Sequence, residues 1–141
     1  MEDKQYQFFT DKSVQITELI DLVVSVGWGA ENDYDASDFQ RSLAAYPFIV
    51  YARNLRGRLV GYLSAFSDGA FSTFIGELFV HPGVQGTGIG TELLRRVAQR
   101  YPGVPIYAAP FDEARDFFLK RGYRIPKRPM TILSKRNAVA D

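Results

Sequence analysis

At 141 residues the chain is long enough for one domain with a real core and too short for two, so a single domain over residues 1–141 is expected. Hydrophobic residues at 46% and charged residues at 23% describe an ordinary globular protein, and 17 Lys and Arg against 16 Asp and Glu leave a net charge of +1, no global field for nucleic acid or an acidic membrane. The lack of cysteine excludes disulfides, thiolate metal sites and an acyl-cysteine intermediate, and the single histidine, His81, cannot supply a multi-histidine metal site.

No apolar run reaches the ~18 residues of a membrane helix, and Met1-Glu2-Asp3-Lys4-Gln5 lacks a leader pattern, so a cytoplasmic protein with no membrane attachment is expected. Along the chain, Tyr6 to Phe9 reads as a short strand. Ser13 is placed to cap a helix whose Ile16, Leu19, Ile20, Val23 and Val24 form one apolar stripe. Gly27-Trp28-Gly29 ends it, and 30–36 is a polar loop. Ser37 and Gln40 have capping-box spacing for a second helix carrying Phe39, Leu43 and Tyr46, closed by Pro47. Three antiparallel strands follow, at 48–53, 58–66 and 71–80, joined by turns at Asn54-Leu55-Arg56-Gly57 and Ser67-Asp68-Gly69. A helix from Gly88 to about Arg100 is broken by Pro102-Gly103, and 104–108 reads as a strand. Asp112 opens a last helix with Ala114, Phe117 and Phe118 on one face and Gly122 as its stop. Residues 123–125 and 130–133 can pair as a terminal hairpin. The pattern is α+β, in the order β-α-α-β-β-β-α-β-α-β-β.

The run from Val80 to Leu94, Val-His-Pro-Gly-Val-Gln-Gly-Thr-Gly-Ile-Gly-Thr-Glu-Leu-Leu, carries the most chemistry. A strand ends, glycines follow at 86, 88 and 90, and Ile89, Leu93, Leu94 and Val97 start a helix at once. Glycines let successive N–H groups converge on one point, and a helix start adds unpaired N–H groups and the positive dipole end, so the junction suits a phosphate. Counted from Gly86, the sixth place of a dinucleotide fingerprint is Thr91 rather than glycine, and no Lys follows as a P-loop requires.

What fits is Gln-x-x-Gly-x-Gly at Gln85, Gly88 and Gly90, preceded by Val-x-Pro at Val80 and Pro82. This resembles the acyl-CoA-binding signature of the GNAT superfamily of N-acetyltransferases, as a small single-domain member of bacterial type. The resemblance is strongest over 59–90, clear again over 114–123, and weak in the first helices. It implies a mixed, mostly antiparallel sheet with helices on both faces, acetyl-CoA as co-substrate without a metal, and acetyl transfer directly to a primary amine of a small molecule or peptide. It also implies that the loop amides hold the CoA pyrophosphate while the strand Leu78 to Val80 pairs with the pantetheine arm. The residues so implicated are Leu78, Phe79, Val80, Gln85, Gly86, Thr87, Gly88, Ile89, Gly90 and Thr91, with Phe117 and Phe118 from the last helix.

Direct transfer requires a base, because an amine of pKa about 8 to 10 is protonated at neutral pH. Glu77 is the candidate, a charge inside Phe74-Ile75-Gly76-Glu77-Leu78-Phe79-Val80; the alternative is a solvent-facing or Arg-paired carboxylate. Strict alternation puts it on the face of Ile75 and Phe79, and a bulge at Gly76 would re-aim it. By resemblance, the Val80 N–H is the donor to the developing oxyanion. The family commonly carries Asn-x-x-Ala-x-x-Phe-Tyr then Gly-Phe, with the Tyr as acid near the sulfur. Here Phe111, Ala114, Phe117, Phe118 and Gly122-Tyr123 occupy those places, so the acid is missing at Phe118. Either Tyr107 or water substitutes, or a thiolate of pKa ~8.5 leaves unaided. That loss also opens a second reading, a non-catalytic acyl-CoA-binding regulatory module.

His81 is read as shaping the strand exit and Asp68 as a turn residue. Trp28 and Tyr34, with Asp33 or Asp35, either wall an acceptor pocket suited to a cationic amine or serve as core and solvated surface. The basic tail, Arg121 to Arg136, is a solvated face or meets an acidic partner or the CoA 3′-phosphate. Exposed strands near the C-terminus leave room for a homodimer.

Overall fold

A computed structural model describes residues 5–139. Met1 to Lys4, which carry most of the leader argument, lie outside the described residues. The chain divides into two compact units, Met1–Ala108 and Ala109–Asp141.

The first unit holds a five-stranded sheet of β1 (Tyr6–Phe9), β2 (Phe48–Asn54), β3 (Leu59–Ser67), β4 (Thr73–Val80) and β5 (Ile106–Tyr107), side by side in chain order. β1 to β4 are antiparallel neighbours and β5 runs parallel to β4. The helices α1 (Ile16–Ser25), α2 (Ala36–Ala45) and α3 (Ile89–Arg100) complete it. Cross-strand partners share a face, so Ile49, Tyr51, Tyr62 and Phe79 project together and meet Leu19, Leu22 and Val23 of α1 and Leu43 of α2. Each such aliphatic side chain removed from water contributes about 1.5–3 kcal/mol. On the opposite face Val50, Ala52, Gly61 and Leu63 form a second set. A Cβ at position 61 would come within 2.7 Å of Ile89 and 3.3 Å of Leu93. Glycine there lets the first turn of α3 lie directly on β3, which holds the preceding loop at the end of β4.

The second unit contains a 3-10 turn at Asp112–Ala114 and α4 (Arg115–Leu119). Phe118 is buried within an aromatic trio, edge-on to Phe117 and to Tyr123 at 5.4 and 5.2 Å.

The first nine elements follow the expected order, and the differences have local causes. α1 begins at Ile16 after Gln15, whose N–H donates to the Glu18 carboxylate at 3.2 Å; Ser13 sits two residues too early and its N–H bonds Asp11. α2 is capped by Asp35, which accepts from the Ser37 N–H and hydroxyl, so Ser37 is capped rather than capping. β4 begins at Thr73 because Asp68 accepts from the N–H groups of Ala70, Phe71 and Ser72 and curls them into the turn. β5 keeps only two of its expected residues, and α4 only five. Residues 123–125 and 130–133 form no strands. Pro126 and Pro129 remove two ladder donors beside the like charges of Arg124, Lys127 and Arg128, and Ile125, Met130, Ile132 and Leu133 stay exposed. The strand edge expected to offer a dimer contact is therefore not formed.

Candidate active site along the fourth strand

The glycine loop follows directly from the end of β4. His81 turns the chain: its N–H donates to the Val60 carbonyl at 2.9 Å, and its Nδ1 accepts from the Gly83 N–H at 3.0 Å, as expected of a residue shaping the exit. After a 3-10 turn at Pro82–Val84, Gly86 and Gly88 take φ of +82° and +95°, a region other residues enter only at a cost. A Cβ at either glycine would meet nothing within 4 Å, so their conformation, not crowding, selects them. The N–H groups of Gly86, Gly88, Ile89 and Gly90 have no acceptor among the described residues. They stand at the positive end of α3, where an anion completes the cap. Glu92, in the first turn, would oppose that anion, but Arg95 and Arg96 both donate to its carboxylate and hold it below the ordinary carboxylate range. The loop is braced by Thr87, whose hydroxyl donates to the Val84 carbonyl at 2.6 Å, and by Gln85, whose side-chain amide donates to the Val80 carbonyl at 3.1 Å. Gln85 thus ties the loop to the strand.

The edge of β4 supplies the next group. β5 pairs with it only through Thr73 and Phe74. Antiparallel pairs alternate between exchanging hydrogen bonds and pointing them outward. Since His81 bonds Val60, the neighbouring pair Val80 and Gly61 turns its peptide groups away from each other, as do Leu78 and Leu63 two residues back. The N–H groups of Leu78 and Val80 therefore face the side that β5 leaves open, and with Gln85 on the Val80 carbonyl the N–H is what Val80 offers there.

Glu77 points to a face of the sheet. The register slips between Ser64 and Ala65, where Gly76 is the extra residue. Glu77 stays opposite Ser64 and on the face of Phe79, whereas Ile75 moves to the other face, so the bulge divides the two residues that simple alternation would group with Glu77. Ser64 is fully buried and donates to Glu77 at 3.2 Å. Burial raises the Glu77 carboxyl above its ordinary value, opposed by the Ser64 and Ser42 hydroxyls. Tyr46, just beyond α2, lies over the bulge: a Cβ at Gly76 would fall 2.1 Å from its hydroxyl oxygen. Burial, with the negative charge of Glu77 nearby, also raises the Tyr46 and Tyr62 hydroxyls. Glu77 is thus neither solvent-facing nor paired with an arginine among the described residues; it heads a cluster of hydroxyls.

Trp28 sits edge-on to Phe79 at 5.1 Å and is 46% exposed, beside the face that carries Glu77. Tyr34 packs edge-on to Phe39 of α2 at 5.4 Å. Asp33 closes its own turn by accepting from the Ala30 N–H, and Asp35 is the α2 cap, so both acids have structural work. Tyr107 stacks on Phe74 at 5.1 Å, at the last rung of the β4–β5 ladder. Phe117 and Phe118 belong to the second unit, where Arg121 lies over the Phe117 ring at 3.7 Å. Sequence reasoning missed Tyr46, Ser64 and Ser42, none of which belongs to a motif. Among the described residues no cluster of three or more His, Cys, Asp or Glu is arranged to hold a metal, and no helix is long and apolar enough to cross a membrane.

Against known proteins, the sequence model of the Acetyltransferase (GNAT) family matches residues 13–123. An uncharacterized N-acetyltransferase, ycf52, of Pyropia yezoensis is 23% identical over 128 residues, covering 87% of this chain and 72% of that protein. A crystal structure from Deinococcus radiodurans R1, provisionally described as an acetyltransferase, is 25% identical with a TM-score of 0.72, covering 94% of this chain and 90% of that one. A GNAT-family acetyltransferase from Streptococcus pneumoniae TIGR4 superposes with the same TM-score at 20% identity, covering 94% and 99%.

Proposed function

Because the chain belongs to the GNAT acetyltransferase family, and is therefore an acyltransferase of α+β fold that uses acyl-CoA, we propose that it moves an acetyl group from acetyl-CoA directly to a primary amine. The acceptor is a small molecule or a peptide amino group, the setting is cytoplasmic, and residues 1–141 act as one functional domain.

The observation that carries this reading is the layout of β4. One strand ends in a loop with four unpartnered N–H groups, offers two more N–H groups along an edge that β5 leaves open, and directs a carboxylate with a raised pKa from the adjoining face. Gly86 to Gly90 would hold the diphosphate through backbone donors, the Leu78 to Val80 edge would pair with the pantetheine amides, and Val80 N–H would stabilise oxygen charge. Acetyl-CoA supplies an acyl group on a thiol leaving group. Glu77 takes the proton that the attacking amine must lose, directly or through a water, as the N–C bond forms and the C–S bond breaks. Phe118 cannot donate a proton, and a thiol of pKa ~8.5 leaves as thiolate without one.

Calorimetric titration with acetyl-CoA, joined to a thiol-release assay over a panel of amines, tests the proposal. The expected result is saturable binding, with thiol released only when an amine is present. Binding without thiol release on any amine would instead support the regulatory-module reading that the phenylalanine at position 118 raises.

A further inference from the structure

The face that carries Glu77 is lined by rings on both sides of the carboxylate. Toward the C-terminal end of β4, Phe79 is buried under Trp28 and lies 6.4 Å from the Tyr62 ring. Toward its N-terminal end, Tyr46 packs on Phe66 at 4.2 Å, Phe66 is the cross-strand partner of Phe74, and Phe74 stacks on Tyr107. Core packing alone would hide these rings, yet Phe66 and Phe74 are 45% and 50% exposed, close to the value for Trp28. Two cations of the elements around this face are paired with carboxylates, Arg41 with Asp38 and Arg53 with Glu18, while Lys12 donates to the Ala44 and Tyr46 carbonyls and keeps its charge. A phosphate or carboxylate on the acceptor would meet the Glu77 carboxylate and, of these three cations, only Lys12 without a carboxylate partner, and a polyamine would find Glu77 among hydroxyls and rings. A single ammonium on an apolar, flat body satisfies both features, its charge at Glu77 and over ring faces, its body against the rings.

Resting on the acetyltransferase reading above, we infer that the acceptor is a primary amine carrying an aromatic or similarly bulky apolar group two or three bonds from its nitrogen. Trp28 and Phe74 select that group. The amine enters over this face with its nitrogen at Glu77.

Initial rates with acetyl-CoA are measured for 2-phenylethylamine, phenylalanylglycine, n-propylamine, spermidine and glucosamine 6-phosphate. The expected kcat/KM for one of the two ring-bearing amines exceeds each of the other three by ~10-fold or more. A lead for 2-phenylethylamine assigns a free amine, and a lead for the dipeptide assigns a peptide amino terminus. Trp28→Ala or Phe74→Ala raises KM for the preferred amine about tenfold, as loss of ring contact predicts, and raises KM for n-propylamine by a clearly smaller factor. Equal rates across the panel, or variants that shift every amine alike, overturn the inference and leave the acetyltransferase reading standing. If no amine releases thiol, titration of 2-phenylethylamine into CoA-saturated protein decides. Binding that Trp28→Ala weakens supports the aromatic site while the transfer reading fails, and no binding overturns both.

Discussion

The glycine loop at 85–90 and the side-chain cluster around Glu77 adjoin the same strand, but they are made of different material. The loop presents peptide N–H groups, so its demands fall on backbone conformation, and Gly86 and Gly88 meet them with positive φ and open space around the missing Cβ. The cluster is made of side chains, so its demands fall on which atoms arrive together, and Gly76 serves it by leaving room for the Tyr46 hydroxyl. The first kind of site fails when the chain cannot adopt its path. The second fails when one functional group is exchanged or displaced.

Glu77→Gln should break the cluster most severely while sparing the loop. Loss of a general base lowers kcat/KM by about 10²–10⁴-fold, with CoA affinity unchanged by titration calorimetry. The same variant should gain stability at pH 8. The folded carboxyl titrates above its unfolded value, so between those two values the folded state holds the extra proton and stability falls as pH rises. Melting curves from pH 4 to 8 should show that decline in the wild type and a shallower one in the variant. An unchanged rate would place the base elsewhere.

Gly76→Ala comes next, because its methyl group must displace the Tyr46 ring. A cost of about 1–3 kcal/mol in denaturant unfolding is expected from such overpacking. A shift of Glu77 by ~1 Å can remove up to a hundredfold in kcat. Tyr46→Phe should recover little of either loss, since the ring as well as the hydroxyl occupies the space.

Gly86→Val attacks the loop alone. A β-branched residue at φ +82° is strained by roughly 1–2 kcal/mol, which corresponds to about a tenfold weaker CoA dissociation constant if the bound loop keeps this path. At saturating CoA kcat should be preserved, which distinguishes this effect from that of Gly76→Ala.

The smallest effect is expected of Phe118→Tyr. If a thiol of pKa ~8.5 leaves without help, restoring the family's phenol changes kcat by less than about twofold across pH 6 to 9. A strong rise would show that the missing acid limits the natural enzyme.

Most of the strand and helix order was legible because it depends on short-range pattern. The stripe Ile89, Leu93, Leu94 and Val97 matches α3, and Tyr6–Phe9 matches β1 residue for residue. Ends were less legible, since they turn on single hydrogen bonds: Asp35 rather than Ser37 caps α2, and Asp68 delays β4. The terminal hairpin failed because apolar residues at 123–125 and 130–133 say nothing about whether a partner edge is within reach past Pro126 and Pro129. Glu77 stood out as a charge in an apolar strand. Its partners did not, because Ser64, Ser42 and Tyr46 are unremarkable residues until folding collects them.

The amino-acid sequence by itself determined the glycine loop, the helix that follows it and the strand that precedes it. A loop that presents backbone donors is built from consecutive residues, and its requirements are written in their order. Only the tertiary structure decided which face Glu77 serves, that Gly61 seats α3 and Gly76 seats Tyr46, and that rings from the α1–α2 loop, β3, β4 and β5 gather along the face that carries Glu77. Those relations join residues up to about eighty positions apart, and the physical link between them is packing across a sheet, which no local pattern encodes.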